Sequence, residues 1–104
     1  MYNIKTTKLF DKRFANLGKY FLLSNDEIKE ATEAIKYSMV ELQQNGVLPD
    51  EYDDHVLEDE PWTGFNEYHV LDDLLVIYYR VDKKKNLRFT TITTHRELRK
   101  GNLD

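Results

Sequence analysis

Read for the spacing of its apolar residues, the chain divides into helical and strand segments. Tyr2 to Thr6 alternates around Ile4 and predicts a short first strand. Thr6 or Thr7 then offers a helix cap. Phe10, Phe14, Leu17 and Phe21 follow at spacings of four, three and four, which is one helical face. Asp11 falls near the positive end of that helix, and Gly18 either stops the helix or weakens it. Ser24-Asn25-Asp26-Glu27 has the form of a capping box, with Leu23 and Ile28 placed around it as a hydrophobic staple. A second helix of about sixteen to twenty residues then carries Ile28, Ala31, Ile35, Met39 and Leu42 on one stripe. Gly46 is its stop.

From Leu48-Pro49 to about Gly64 the pattern is polar and aperiodic, and long connections of this kind often carry function. Three strands follow. Phe65 to Leu71 alternates, Leu74 to Val81 is apolar on both faces and therefore central, and Leu87 to Thr93 alternates again. Asp72-Asp73 and Asp82 to Asn86 supply the turns, and the tail from His95 predicts a short helical turn. The order is β-α-α-β-β-β-(α). Short turns make the last three strands an antiparallel meander, and both helices must bury their stripes on one sheet face. The expected fold is α+β and two-layered, with two helices on a mainly antiparallel four-stranded sheet, in one domain over residues 1–104.

Composition narrows the function classes. Five Phe, seven Tyr and one Trp supply the bulk of a single core. There is no cysteine, which excludes disulfide scaffolds, zinc–thiolate sites and thiol catalysis. No apolar run approaches the ~20 residues of a membrane span, and Met1 to Lys5 lacks a signal-peptide core. A cytoplasmic protein with no membrane contact is expected.

The net charge of -4 argues against a nucleic-acid binder, but the distribution is uneven. Residues 49–79 hold ten Asp/Glu and no Lys/Arg, whereas residues 80–104 hold eight Lys/Arg and three Asp/Glu. Two readings stand. One is a solvated acidic loop beside a basic hairpin tip; in the other, the basic end takes an anionic ligand and the acidic stretch a basic partner.

The chemistry-bearing residues are three histidines, all after residue 54: His55 in the long loop, His69 on the first meander strand and His95 just past the last strand. Histidine titrates near neutrality, so one ring can take a proton while another gives one. That suits RNA cleavage, in which a base deprotonates the ribose 2′-OH and an acid protonates the leaving 5′-oxygen. Each histidine also has a plain reading, as a solvated loop residue or a satisfied strand residue. Zinc binding by all three is the other option, but spacings of fourteen and twenty-six match no compact ligand motif. Asp73 follows His69 by four residues across a turn, which would bring the two close, or it is simply a turn former. Trp62 and Phe65 flank Gly64 and would either stack on an RNA base or cap the core edge. There is no phosphate-cradling glycine loop and no Gly-x-Ser-x-Gly elbow.

In residues 48–98 the chain resembles the YafQ-like toxins of the RelE/ParE superfamily. Leu48-Pro49-Asp50-Glu51-Tyr52-Asp53-Asp54-His55-Val56-Leu57 is similar to that family's Leu-Pro-x-x-Tyr-x-Asp-His-x-Leu segment. Trp62-Thr63-Gly64-Phe65 resembles its Trp-x-Gly-aromatic segment. Tyr68 to Tyr78 resembles its His-(Val/Ile)-x-Pro-Asp-Trp-(Leu/Ile)-Leu-Ile-Tyr strand pair, and Thr94-His95-Arg96-Glu97-Leu98 its Thr-His-x-x-Leu ending. The first half of the chain agrees only in element order.

The resemblance implies the toxin of a type II toxin–antitoxin system: an endoribonuclease, without cofactor or metal, that cuts mRNA in the ribosomal A site. It implies a cognate antitoxin, encoded beside it, as protein partner. His55, His69, Asp73 and His95 fall on the family's catalytic positions, with His95 as general acid and His55, His69 or Asp73 as base. Three positions depart from the pattern. Thr91 stands where the family usually has a phosphate-steadying Arg, Thr93 replaces Gly and Leu74 replaces Trp. A cation on the phosphoryl transition state contributes several kcal/mol. Arg96, Arg99, Arg80 and Arg88 are the candidates to replace it. Arg96 and Arg99 share a face only if the tail is helical, and strand alternation points Arg88 away from the face of Thr91. The alternative implied by the superfamily is a non-catalytic binder, either a gyrase-type toxin or a decayed toxin that only holds its antitoxin.

Overall fold

Thr7 starts the first helix: its backbone is extended and its hydroxyl accepts from the Phe10 N–H at 3.0 Å. In the computed structural model, which describes residues 1–100, strand β1 (Asn3–Thr6) leads into α1 (Lys8–Ala15) and α2 (Leu17–Tyr20). Residues 101–104 of the expected domain lie outside the described ones. The break between the first two helices falls at Asn16, not at Gly18. Gly18 lies inside α2 instead, where its missing Cβ leaves room for the end of the Ile28 side chain on the next helix. That helix, α3 (Asn25–Asn45), has the capping box read from Ser24 and Glu27, with both reciprocal bonds made. It ends at Gly46, whose φ of 74° is left-handed and whose missing Cβ leaves room for the Tyr2 ring.

The sheet has five strands, not four, in the order β1-β5-β4-β3-β2. The added strand is β2 (His55–Val56), which pairs antiparallel with β3 (Asn66–Leu71) inside the stretch that looked like plain loop. A 3-10 turn at Asp50–Tyr52 and a left-handed Asp53 aim the chain into it. β4 (Leu74–Val81) is central as expected, β5 (Asn86–Thr93) pairs antiparallel with it, and β1 closes the far edge parallel to β5. A last helix, α4, spans His95–Arg99.

Cross-strand partners share a face, so the register sorts the side chains. The inner face carries Tyr68, Val76, Tyr78, Phe89 and Ile92, all fully buried against Phe10, Ala31, Ile35 and Leu42 of the helices. Burying each of the larger side chains contributes about 1.5–3 kcal/mol. Ser38, on the same α3 face, satisfies its hydroxyl with the Ile35 carbonyl and the Tyr68 hydroxyl. The outer face carries Glu67, His69, Leu75, Ile77, Tyr79, Arg88, Thr91 and Thr93. Arg88 and Thr91 are therefore on the same face, contrary to simple alternation. The cause is a bulge: Ile77 pairs with Thr91 and Tyr78 with Phe89, leaving Thr90 as the extra residue.

Candidate active site

The histidines meet on the outer face, at one end of the sheet. The β2–β3 register sets His55 opposite Glu67, and strand alternation puts His69 on the same side as Glu67. His95 arrives from the other direction, as the first residue of α4, directly after β5 and its Thr94 cap. His69 Nε2 and His95 Nε2 lie 3.3 Å apart, with ring centroids 5.3 Å apart. The His55 ring stacks at 6.3 Å from that of His69. Glu67 lies beneath, only 5% exposed, with Oε1 3.5 Å from His55 Nε2 and 3.9 Å from His69 Nε2. The side chains of His55 and His95 are 44% and 42% exposed, so both rings are open to solvent.

Two of the rings have their proton positions set by neighbours. His55 Nδ1 lies 2.7 Å from the Asp53 carbonyl, which only accepts, so this nitrogen carries a hydrogen and Nε2 is left facing Glu67. His95 Nδ1 donates to Asp73 at 2.7 Å, and the same carboxylate oxygen accepts from the His95 backbone N–H at 3.0 Å. That backbone bond, then the ring bond and the ring's charge, hold the Asp73 carboxyl below its ordinary value. Asp73 thus contacts His95, where the sequence pointed to His69. The β3–β4 turn carries Asp73 to the start of α4 rather than folding it back along β3. His69 Nδ1 is buried with no hydrogen-bond partner among the described residues, and an Asp53 carboxylate oxygen lies 3.7 Å away.

Two of the four expected cations, Arg80 and Arg88, fall away from the histidines. Arg80 is bound by Asp82 at 3.0 Å and lies over the Tyr2 ring. It stands five residues beyond Leu75, the partner of His69, about 17 Å along β4. Arg88 sits opposite Tyr79, four residues beyond Leu75 on β4. Arg96 and Arg99 are exposed on the short α4, and Arg99 is near enough to help depress Asp73. Trp62, a proposed base-stacking ring, is 3% exposed; its indole N–H donates to the Leu98 carbonyl and its ring packs edge-on to Phe65. It joins the loop to α4 and presents no free face to RNA.

The cation that the sequence reading missed is Arg13, on α1. Its Nη1 donates to Thr91 Oγ1 at 3.2 Å and to the Ile92 carbonyl at 2.8 Å, where β5 has run past the end of β1 and its edge is open. Arg13 lines the same cavity of about 950 Å³ as His69, Asp73 and Thr94, and is the one Lys or Arg among its lining residues. Glu67 was missed as well, although its place two residues before His69 on a strand already put both on one face.

This arrangement can exchange protons between two imidazoles. It also offers a ligand set: nitrogen and oxygen atoms of Glu67, His69 and His95 lie within 4.8 Å of one another. Sequence spacing concealed this trio, because His95 reaches β3 from the start of α4, 26 residues on from His69.

A family model described as a bacterial toxin of type II toxin–antitoxin systems, YafQ, matches residues 2–100. No curated protein sequence matches the chain. Among solved structures, a YafQ variant from E. coli is 28% identical with a TM-score of 0.72, over 94% of this chain and 98% of that one. The E. coli DinJ–YafQ complex matches at 30% identity and TM-score 0.70, over 94% and 98% of the two chains. A metal-bound toxin from Helicobacter pylori matches at 26% identity and TM-score 0.68, over 94% and 99%.

Proposed function

The chain belongs to the YafQ family of bacterial toxins from type II toxin–antitoxin systems, and on that premise we propose that it is an endoribonuclease cutting mRNA in the ribosomal A site. The carrying observation is the 3.3 Å approach of His69 Nε2 to His95 Nε2 on the outer face, at one end of the sheet. His69 is the base: its Nε2 takes the 2′-OH proton as the 2′-oxygen forms a bond to phosphorus. His95 is the acid: with Nδ1 committed to Asp73, its protonated ring gives the Nε2 hydrogen to the 5′-oxygen as the P–O5′ bond breaks. The products are a 2′,3′-cyclic phosphate and a 5′-hydroxyl. Asp73 orients the acid, and Glu67 steadies His55 and His69 from below. The rings must part to admit the phosphate between them. Arg13, at the position beside Thr91, offers the guanidinium for the phosphate charge that Thr91 cannot supply. No metal takes part in these steps.

The partner is an antitoxin, as in the DinJ–YafQ complex. Lys/Arg side chains on it would suit the acidic stretch of residues 50–60. The site of action is the cytoplasm; no helix among the described residues is long and apolar enough to cross a membrane.

Primer extension on translated mRNA after induction tests the reading. Wild type should produce new ends, while folded His95→Ala and His69→Ala variants should not. Full cleavage by both variants overturns the mechanism. Growth arrest without any mRNA cleavage by wild type replaces it with a gyrase-type target.

A further inference from the structure

Away from the histidines, the outer face of the sheet has a second concavity, of about 760 Å³, at its β1–β5–β4 end. Strand register makes its floor a row. Lys5 pairs with Arg88 and Arg88 pairs with Tyr79, so these side chains rise from adjacent strands about 4.8 Å apart. Phe65 comes next, with its ring 5.2 Å from that of Tyr79 at 60°. Two cations thus lie beside two rings. Lys5 and Arg88 are exposed, and Tyr79 is 43% exposed. Among the described residues no carboxylate lines the concavity. Among the described residues neither cation is engaged in an ion pair.

We propose that this row is a second, non-catalytic subsite for single-stranded RNA, with a base stacked on Tyr79 and backbone phosphates resting on Arg88 and Lys5. A nucleotide presents a flat π-face beside a negative charge, and here the ring of Tyr79 lies beside the cation of Arg88. Phe65 packs edge-on against the Tyr79 ring, and Tyr79 stays 43% exposed. The row lies on the same sheet face as His69. Tyr79 is four residues from Leu75, the partner of His69, about 13 Å along β4. A strand gripped there is held at a distance from the cut, so the subsite acts on binding rather than on proton transfer. It also gives the uneven charge a purpose: the basic C-terminal quarter of the sequence brings Arg88 and the Lys83 to Lys85 turn to this end of the sheet. The identity of the RNA as mRNA rests on the nuclease reading above; the binding chemistry does not.

The test is fluorescence anisotropy of a labelled single-stranded RNA oligonucleotide with the full chain, in a His95→Ala background so that nothing is cut. Tyr79→Ala, and Lys5→Ala with Arg88→Ala, should each weaken binding on the order of tenfold. Tyr79→Phe keeps the π-face and should bind like the parent, as should Lys29→Ala, which removes an exposed cation from α3. Losing two phosphate contacts should also flatten the log–log salt dependence by about 1.4. Unchanged affinity in both the ring and the cation variants overturns the subsite, and so does weakened antitoxin binding in their place. RNA bound through this row by a chain that cuts no mRNA leaves the subsite standing and removes the nuclease. Cleavage by wild type together with indifferent row variants does the reverse.

Discussion

One carboxylate oxygen of Asp73 accepts from both the backbone N–H and the ring Nδ1 of His95, at 3.0 and 2.7 Å. The double contact fixes the position and the tautomer of the ring, leaving Nε2 as the reactive nitrogen. It also sets a negative charge against the imidazolium that is the acid of the proposed mechanism. Asp73→Asn retains an acceptor of the same shape and removes the charge. The expected result is a folded protein whose single-turnover RNA cleavage falls on the order of 10²-fold. An undiminished rate would show that His95 works without Asp73.

Two carboxyls give opposite pH signatures of stability. Asp73 is held below its ordinary value by the His95 bonds. Its contribution is therefore full above the unfolded value near 3.9 and is lost as pH falls through the folded value. Asp54 is raised by burial, against the Tyr78 O–H that donates to it at 2.6 Å. The stability tied to its neutral form is full below the unfolded value and is lost as pH rises through the folded value. Asp54→Asn still offers Tyr78 an acceptor and cannot ionise. Its stability relative to wild type should climb as pH rises from about 4 to 7. The deficit of Asp73→Asn should be constant over that window and shrink below it. Urea denaturation at several pH values reads both trends, and a flat Asp54→Asn difference would remove burial as the cause.

His69 Nε2 and His95 Nε2, 3.3 Å apart, are the nitrogens of the proposed proton transfer, and an ion held by Glu67, His69 and His95 would compete for them. Chelation should therefore leave RNA cleavage unchanged, and added zinc should lower it. His69→Ala deletes a ligand and should weaken zinc binding measured by calorimetry. A rate that rises with zinc would replace the acid–base mechanism with a metal-assisted one.

What the sequence disclosed was local. The capping box at Ser24 needs only four adjacent residues, and the meander only alternation and short turns. Ser24→Ala should accordingly cost about 1 kcal/mol in urea denaturation. What stayed hidden was non-local. β2 is two residues long and exists through its pairing with β3, so no periodicity marks it. The Asp73–His95 contact depends on where β5 ends relative to the β3–β4 turn. The orientation of Arg88 turned on one bulged residue, Thr90. The histidines were legible as chemistry because of their residue type, whereas residue type left Trp62 open between base stacking and capping the core edge; its indole, buried and tied to Leu98, takes the second place.

Arg13 and Thr91 are 78 residues apart in sequence and in contact in the fold. The family pattern places a guanidinium on the strand four residues before the last histidine; here a threonine stands there, and a guanidinium reaches it from α1. If that cation serves the phosphate, Arg13→Ala should lower RNA cleavage on the order of 10²-fold. Arg13 also ties α1 to the open edge of β5, so the loss alone could be one of structure. Thr91→Arg in the Arg13→Ala background separates the two roles. It returns a guanidinium to the space that Arg13 vacates, while leaving the tie to α1 broken. Recovery of cleavage without recovery of thermal stability would identify the charge as what matters. Recovery of neither would mark Arg13 as a clamp between helix and strand.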